Sequence, residues 1–161
     1  MLSYPDFNKQ FKIHTDASNY QLGAVISQDG KPIAFFSRKL NNAQTRCTTT
    51  EKELLSIVET LKEFKNILLG HKIVVCADHK NLVHKHFNTD RVMRWRLVLE
   101  EFGPELRYIK GSNNVVADGL SRLEMMNVDR FRQVFNEFKQ AEVFAEEEGK
   151  DLPTEHPTSH R

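Results

Sequence analysis

Residues 11–38 read FKIHTDASNYQLGAVISQDGKPIAFFSR, and their alternation decides the fold. Phe11, Ile13 and Thr15 alternate with Lys12, His14 and Asp16, the period of two expected of a strand. A second strand follows from Gln21 to Gln28, with Leu22, Ala24 and Ile26 on one face and Gly23, Val25 and Ser27 on the other. Asp29 and Gly30 supply a DG turn that reverses the chain into a third strand, Pro32 to Arg38. The chain therefore opens with a three-stranded antiparallel meander.

Outward from that meander the period changes. Thr49 to Leu69 reads as one helix, with Leu54, Ile57, Val58, Leu61, Phe64 and Leu68 on a shared face and Gly70 as its C′ residue. The run KIVVCAD that follows is apolar on both faces, as a parallel strand buried on both sides would be, and Asp78 ends it. Thr89 or Asp90 caps the next helix, which runs to about Phe102 and stops at Gly103 and Pro104. The strand ELRYI and a last helix opening at Asn113 or Asn114 complete a βββαβαβα order, which predicts a five-stranded mixed sheet with helices packed on it. Beyond Arg122 the character shifts. Phe131, Val134, Phe135 and Phe138 mark an amphipathic helical extension over 124–145, and 146–161 is polar and interrupted by Pro153 and Pro157, as a disordered tail would be.

Charge follows the same division. Residues 123–161 hold 9 acids and 5 bases, whereas 1–122 hold 13 acids and 18 bases, so the predicted domain is mildly basic and compatible with a polyanionic substrate. Cys47 and Cys76 are the only cysteines, with no CxxC pair, which fits a reduced intracellular compartment and neither a zinc module nor a disulfide scaffold. No apolar run approaches the roughly 20 residues of a membrane span, and the polar opening MLSYPDFNKQ does not fit a signal peptide.

Four acids fall where this topology ends its elements near one sheet edge: Asp16 in HTDAS, Glu53 in TTTEKELL, Asp78 in CADHKNL and Asp118 in NNVVADGLSR. Four gathered carboxylates repel one another unless cations offset them. Hard oxygen ligands suit Mg²⁺ or Mn²⁺, and two such ions suit hydrolysis of a phosphodiester. Each acid also has a local structural explanation. Asp16 can close its strand as an Asx turn, Asp78 can cap a short helix opening at HKNL, and Asp118 is favourable near a helix N-terminus. On the helix, Glu51 and Glu53 lie equally far from the centre of the apolar stripe. A cap at Thr48 makes Glu51 the glutamate of a capping box and leaves Glu53 free, whereas a cap at Thr50 makes Glu53 the box residue. Among other features, Arg91, Arg94 and Arg96 form a basic helix suited to phosphates, with Trp95 better read as core. His79, His84 and His86 lack partners at zinc-like spacing, and Cys47 lacks an accompanying base.

The stretches PDFNKQFKIHTDASNYQLGAVISQ, KPIAFFSRKLNNAQ, TTTEKELLSIVETLKEF, HKIVVCADHKNL and RWRLVLEEFGPELRYIKGSNNVVADGLSR occur in the order of a known family. Over about residues 3–123 the sequence resembles the ribonuclease H domain of reverse transcriptases from gypsy-like LTR retrotransposons. The resemblance implies a ribonuclease H-like fold and hydrolysis of the RNA strand of an RNA/DNA hybrid with two Mg²⁺ ions, Mn²⁺ being a substitute. By motif position it places Asp16, Glu53, Asp78 and Asp118 as the metal-binding carboxylates, and it favours Glu53 over Glu51 because the family's glutamate directly precedes a Leu-Leu pair. It further implies a polymerase domain in the same polyprotein, with integrase on the far side of the tail, and a cytoplasmic setting that includes virus-like particles. There are departures: the loop KGSNN lacks the histidine of cellular and retroviral relatives, Cys47 stands where tyrosine is usual, and Gly119 where alanine is usual. Two other readings are a catalytically weak nucleic-acid- or polymerase-binding module and a decayed remnant, which four intact acids oppose.

Overall fold

The computed structural model describes residues 2–78 and 89–121. The strands are β1 (Phe11–Ala17), β2 (Gln21–Gln28), β3 (Lys31–Lys39), β4 (Ile73–Ala77) and β5 (Glu105–Tyr108). They form one sheet in the order β3-β2-β1-β4-β5, antiparallel through the meander and parallel from β1 to β4 to β5. The DG turn is as expected: Asp29 and Gly30 both take positive φ, 51° and 70°, the requirement of a tight hairpin turn whose twist matches its strands. All five residues of β4 are buried, as its unbroken apolar run implies.

The helices are α1 (Asn42–Thr45), α2 (Thr49–Glu63), α3 (Lys65–Leu68), α4 (Asp90–Phe102) and α5 (Val115–Leu120). Two differences from the sequence reading stand out. The long helix is interrupted at Phe64, whose φ of −106° and ψ of 27° leave the helical region, so α2 and α3 are separate. The short α1 was also not expected. Its Asn41 cap and Gln44 form a reciprocal box over a single turn, too short for hydrophobic periodicity to register. Gly70, at φ 83°, and Gly103, at φ 60°, end α3 and α4 in the left-handed conformation, as their sequence positions predict. Thr89, not Asp90, caps α4 by accepting from the Val92 amide.

The sheet has two unequal faces. Phe11, Ile13, Leu22, Ala24, Ile26, Ile73 and Val75 meet Leu55, Ile57, Leu61, Leu68 and Phe102, with the half-buried Trp95 packed against them. Helix α2 lies between the sheet and α4, so its residues from Lys52 to Val58 are all buried instead of presenting a single stripe. Two hydroxyls on its inner faces are satisfied within the helix: Ser56 Oγ donates to the Glu53 carbonyl and Thr60 Oγ1 to the Ser56 carbonyl, each at 2.6 Å. On the opposite face, Val25 and Phe35 pack against Val116 and Leu120 of α5. The helical extension read at 124–145, the tail beyond it and the histidines at 79, 84 and 86 lie outside the described residues. Among the described residues, no helix is long and apolar enough to cross a membrane.

Candidate active site

A helix of six residues has no stability of its own, and α5 is fixed by what it touches. At its start, Asn114 Nδ2 donates to the Thr15 carbonyl at 2.7 Å. At its end, the Leu120 carbonyl accepts from Ser37 Oγ at 2.8 Å and Gln21 Nε2 at 3.2 Å, and the Ser121 carbonyl accepts from Ser18 Oγ at 2.7 Å. Between these ties the helix backbone rests on Gly23, where a Cβ would collide with the Ala117 carbonyl oxygen, the Ser121 amide and Leu120. Gly23 is the register partner of Asp16 across β1 and β2. The absence of a side chain there brings Asp118 and Ser121 down beside Asp16. Ser121 Oγ lies 3.1 Å from Asp16 Oδ2 and 2.7 Å from the Asp118 carbonyl, its one proton serving either in turn.

Glu53 arrives from the other side. Thr48 caps α2, accepting from the Glu51 amide at 3.2 Å, and its hydroxyl donates to the Glu51 carboxylate at 3.2 Å. Glu51 is thus engaged at the cap, through the Thr48 hydroxyl where a capping box would use the cap amide, and it also lies 3.9 Å from Arg91 Nη1. One half-turn on, Glu53 is 5% exposed and turned toward the end of β1. Its Oε2 is buried with no hydrogen-bond partner. Asp16 and Asp118 are half-buried and Asp78 is exposed, so the four acids run from the interior to the surface and the group opens to solvent on the Asp78 side. Strand β4 is buried, but its last acid has already left it.

The electrostatics record the crowding. Burial, followed by a hydrogen bond and charge repulsion from Asp118, pushes Asp16 up to about 7. Burial, then repulsion from Asp16 and from Asp78, pushes Glu53 up to about 9. Asp16 thus lies within electrostatic reach of both Asp118 and Glu53. Crowded carboxyl groups are relieved by taking up a proton or by a neighbouring cation, so the two compete. Among the described residues, no set of three or more His, Cys, Asp and Glu side chains is arranged to hold an ion as it stands. The donor set nevertheless fits a hard divalent cation: all oxygen, anionic, with one buried oxygen, Glu53 Oε2, left without a partner.

The sequence reading missed four residues of this arrangement. Ser121 touches Asp16, Asn114 ties α5 to β1, Gly23 admits the helix, and Gly111 lies against the Asp78 carboxylate. For Gly23 a signal was present, since an isolated glycine in a strand pattern marks a close backbone approach. The basic helix is partly spoken for: Arg91 Nη1 donates to Cys47 Sγ at 2.6 Å.

The mixed sheet, its strand order and the acids at its edge define a ribonuclease H-like fold. Solved structures agree at low identity, which speaks to the fold alone. LC11-RNase H1 in complex with an RNA/DNA hybrid matches with a TM-score of 0.55 at 18% identity, over 68% of this chain and 92% of that one. A foamy viral protease-reverse transcriptase in complex with an RNA/DNA hybrid matches with a TM-score of 0.57 at 22% identity, over 68% of this chain and 16% of that one. The family model of the RNase H-like domain found in reverse transcriptase matches residues 6–102, and the chain belongs to that family. The retrovirus-related Pol polyprotein from transposon 297 of Drosophila melanogaster is 44% identical over 128 residues, 78% of this chain and 12% of that polyprotein. The one from transposon gypsy of the same organism is 39% identical over 126 residues, 76% of this chain and 12% of that polyprotein. The chain therefore spans about an eighth of the curated relatives it matches.

Proposed function

We propose that this domain is a metal-dependent endonuclease that hydrolyses the RNA strand of RNA/DNA hybrids, working within a retrotransposon Pol polyprotein beside a polymerase domain. The observation that carries the reading is the buried, partnerless Glu53 Oε2 beside Asp16, with Asp118 held against Asp16 from the opposite face of the sheet. Burying a carboxylate among carboxylates costs free energy that a folding requirement alone does not explain.

In this reading Asp16 is shared between two sites, with Glu53 and Asp118 on its two sides and Asp78 at the solvent edge where the substrate enters. Divalent ions, when bound, supply charge to offset the acids, an activated water and stabilisation of the leaving oxygen. The chain's own residues do the rest. Ser121 orients the Asp16 carboxylate, Asn114 and Gly23 set the height of Asp118, and the Thr48 cap fixes the turn of α2 from which Glu53 projects. RNA-strand selectivity requires contacts to 2′-hydroxyls.

Cleavage of a labelled hybrid in Mg²⁺ or Mn²⁺ tests the assignment. Wild-type chain cleaves the RNA strand, and Glu53→Gln and Asp16→Asn do not; cleavage that survives Asp16→Asn defeats it. The second reading, a binding module that needs its polymerase domain, draws on the acids not standing as a closed cage. It predicts metal-independent hybrid binding with cleavage only after the polymerase domain is supplied.

A further inference from the structure

Asp78 is the least supported of the four acids. It follows the last residue of β4, it is exposed, and among the described residues no hydrogen bond or ion pair fixes its carboxylate. What meets it is the loop after β5. Gly111 opens the 3-10 turn Gly111–Asn113, and a Cβ on it would stand 3.2 Å from Asp78 Cγ and 3.8 Å from Oδ1, with Oδ2 closer still. The backbone does not call for glycine there. Among the described residues the glycines with positive φ are Gly30, Gly70 and Gly103, so Gly111 has a conformation that any residue adopts.

The loop is tied at more points than the carboxylate it meets. The Ile109 amide donates to the Ala77 carbonyl at 3.0 Å, which ties the loop to the residue directly before Asp78. The Asn113 amide donates to the Lys110 carbonyl at 2.8 Å and the Asn114 amide to the Gly111 carbonyl at 3.0 Å, closing the turn. Asn114 is in turn locked to Thr15 by its side chain. The carboxylate, by contrast, swings about two single bonds. Any side chain at 111 therefore displaces the acid and leaves the loop where it is.

We infer that Gly111 is the positioning residue of Asp78: its bare Cα is the wall against which that carboxylate rests, and the turn locked to Ala77 and Thr15 holds the wall in place. The inference rests on the reading of Asp78 as a metal ligand and deepens it. A metal ligand moved by about 1 Å loses much of its function, and residues that orient ligands are worth about 10- to 100-fold in metal affinity or activity when replaced.

The test uses the full chain with Gly111→Ala and Gly111→Ser, in the wild-type background and with Asp78→Asn. Binding of Mn²⁺ is measured by calorimetry without nucleic acid, melting is followed without metal, and hybrid cleavage is assayed separately. The expected result is an unchanged melting temperature and Mn²⁺ binding weaker by about 10- to 100-fold in Gly111→Ala. In the Asp78→Asn background Gly111→Ala then has no further effect, since the two changes act through one group. Wild-type affinity in Gly111→Ala, a full loss that persists in the Asp78→Asn background, or a lowered melting temperature overturns the inference. Wild-type chain that neither binds Mn²⁺ nor cleaves overturns the metal site itself and the positioning role with it, an outcome visible before any variant is made.

Discussion

Asn114 Nδ2 donates to the carbonyl of Thr15 at 2.7 Å, joining the residue before α5 to the residue before Asp16. Asn114 is 2% exposed and Thr15 fully buried, so the bond has no water to replace it. It is the tie that sets where the last helix begins relative to the first strand, and hence where Asp118 stands relative to Asp16.

Replacing Asn114 with alanine removes a buried hydrogen bond to the Thr15 carbonyl, at a cost of about 0.5–1.5 kcal/mol. Asn114→Ala is expected to melt lower by that amount in urea titration, and to lose hybrid cleavage by more than its loss of folded population explains. Cleavage that falls only in proportion to folded protein contradicts the tie's role in the site.

Gly23→Ala places a methyl group in the backbone of α5. Overpacking of this kind costs about 1–3 kcal/mol, and here the element that yields is α5, because β2 is an interior strand paired on both edges. Amide hydrogen exchange is expected to quicken in 115–121 while β1 and β2 stay protected. Uniform loss of protection throughout the sheet would instead mean that the strand, not the helix, gives way.

The pH dependence of metal-free stability follows from the burial of Asp16, Glu53 and His14. Asp16 and Glu53 bind protons more tightly folded than unfolded, from ordinary values of 3.8 and 4.5 up to about 7 and about 9, so their contribution is whole at acid pH and is lost as pH rises through the raised values. His14 runs the other way. Burial lowers it from 6.5 to about 4, so its contribution is present above 6.5 and is lost as pH falls toward 4. Between pH 7 and 9 the shifts of Asp16 and Glu53 act and that of His14 does not. Melting in EDTA is expected to fall over that interval for the wild type, to flatten in Glu53→Gln, and to be restored at pH 8.5 by millimolar Mg²⁺ in the wild type alone. A wild-type melting temperature that is level from pH 7 to 9 contradicts the crowding of these acids.

Thr48→Ala removes the cap of α2 and the hydroxyl that holds Glu51. The loss is expected to be about 1 kcal/mol, read as a lowered denaturation midpoint, with Mn²⁺ affinity reduced less than in Glu53→Gln. Equal loss of affinity in the two variants would make Glu51 a ligand in its own right.

Much of this was legible along the chain because it is local. Alternation at 11–16 and 21–28, the DG turn, the apolar run at 73–77 and the glycines at 70 and 103 each carry their signal within a few residues. The structure keeps them nearly in place. The break at Phe64 was hidden because apolar periodicity continues across it from α2 into α3, and α1 was hidden because a single turn has no period. On local pattern alone, apart from the family resemblance that favours Glu53, the choice between Glu51 and Glu53 hung on which threonine caps the helix. Nothing in TTTEKE distinguishes Thr48 from Thr50, and the tertiary structure does.

By itself the sequence determined the strands, the main helices, their order and the four acids placed at their ends, since each depends on neighbours within a turn or a hairpin. Only the tertiary structure decided that Asp16 lies between Glu53 and Asp118, that Gly23 admits α5, and that Gly111 meets Asp78. Those contacts join residues as far apart as 16 and 121, and they exist because strand register, helix docking and close packing bring distant backbone together, which no local pattern encodes.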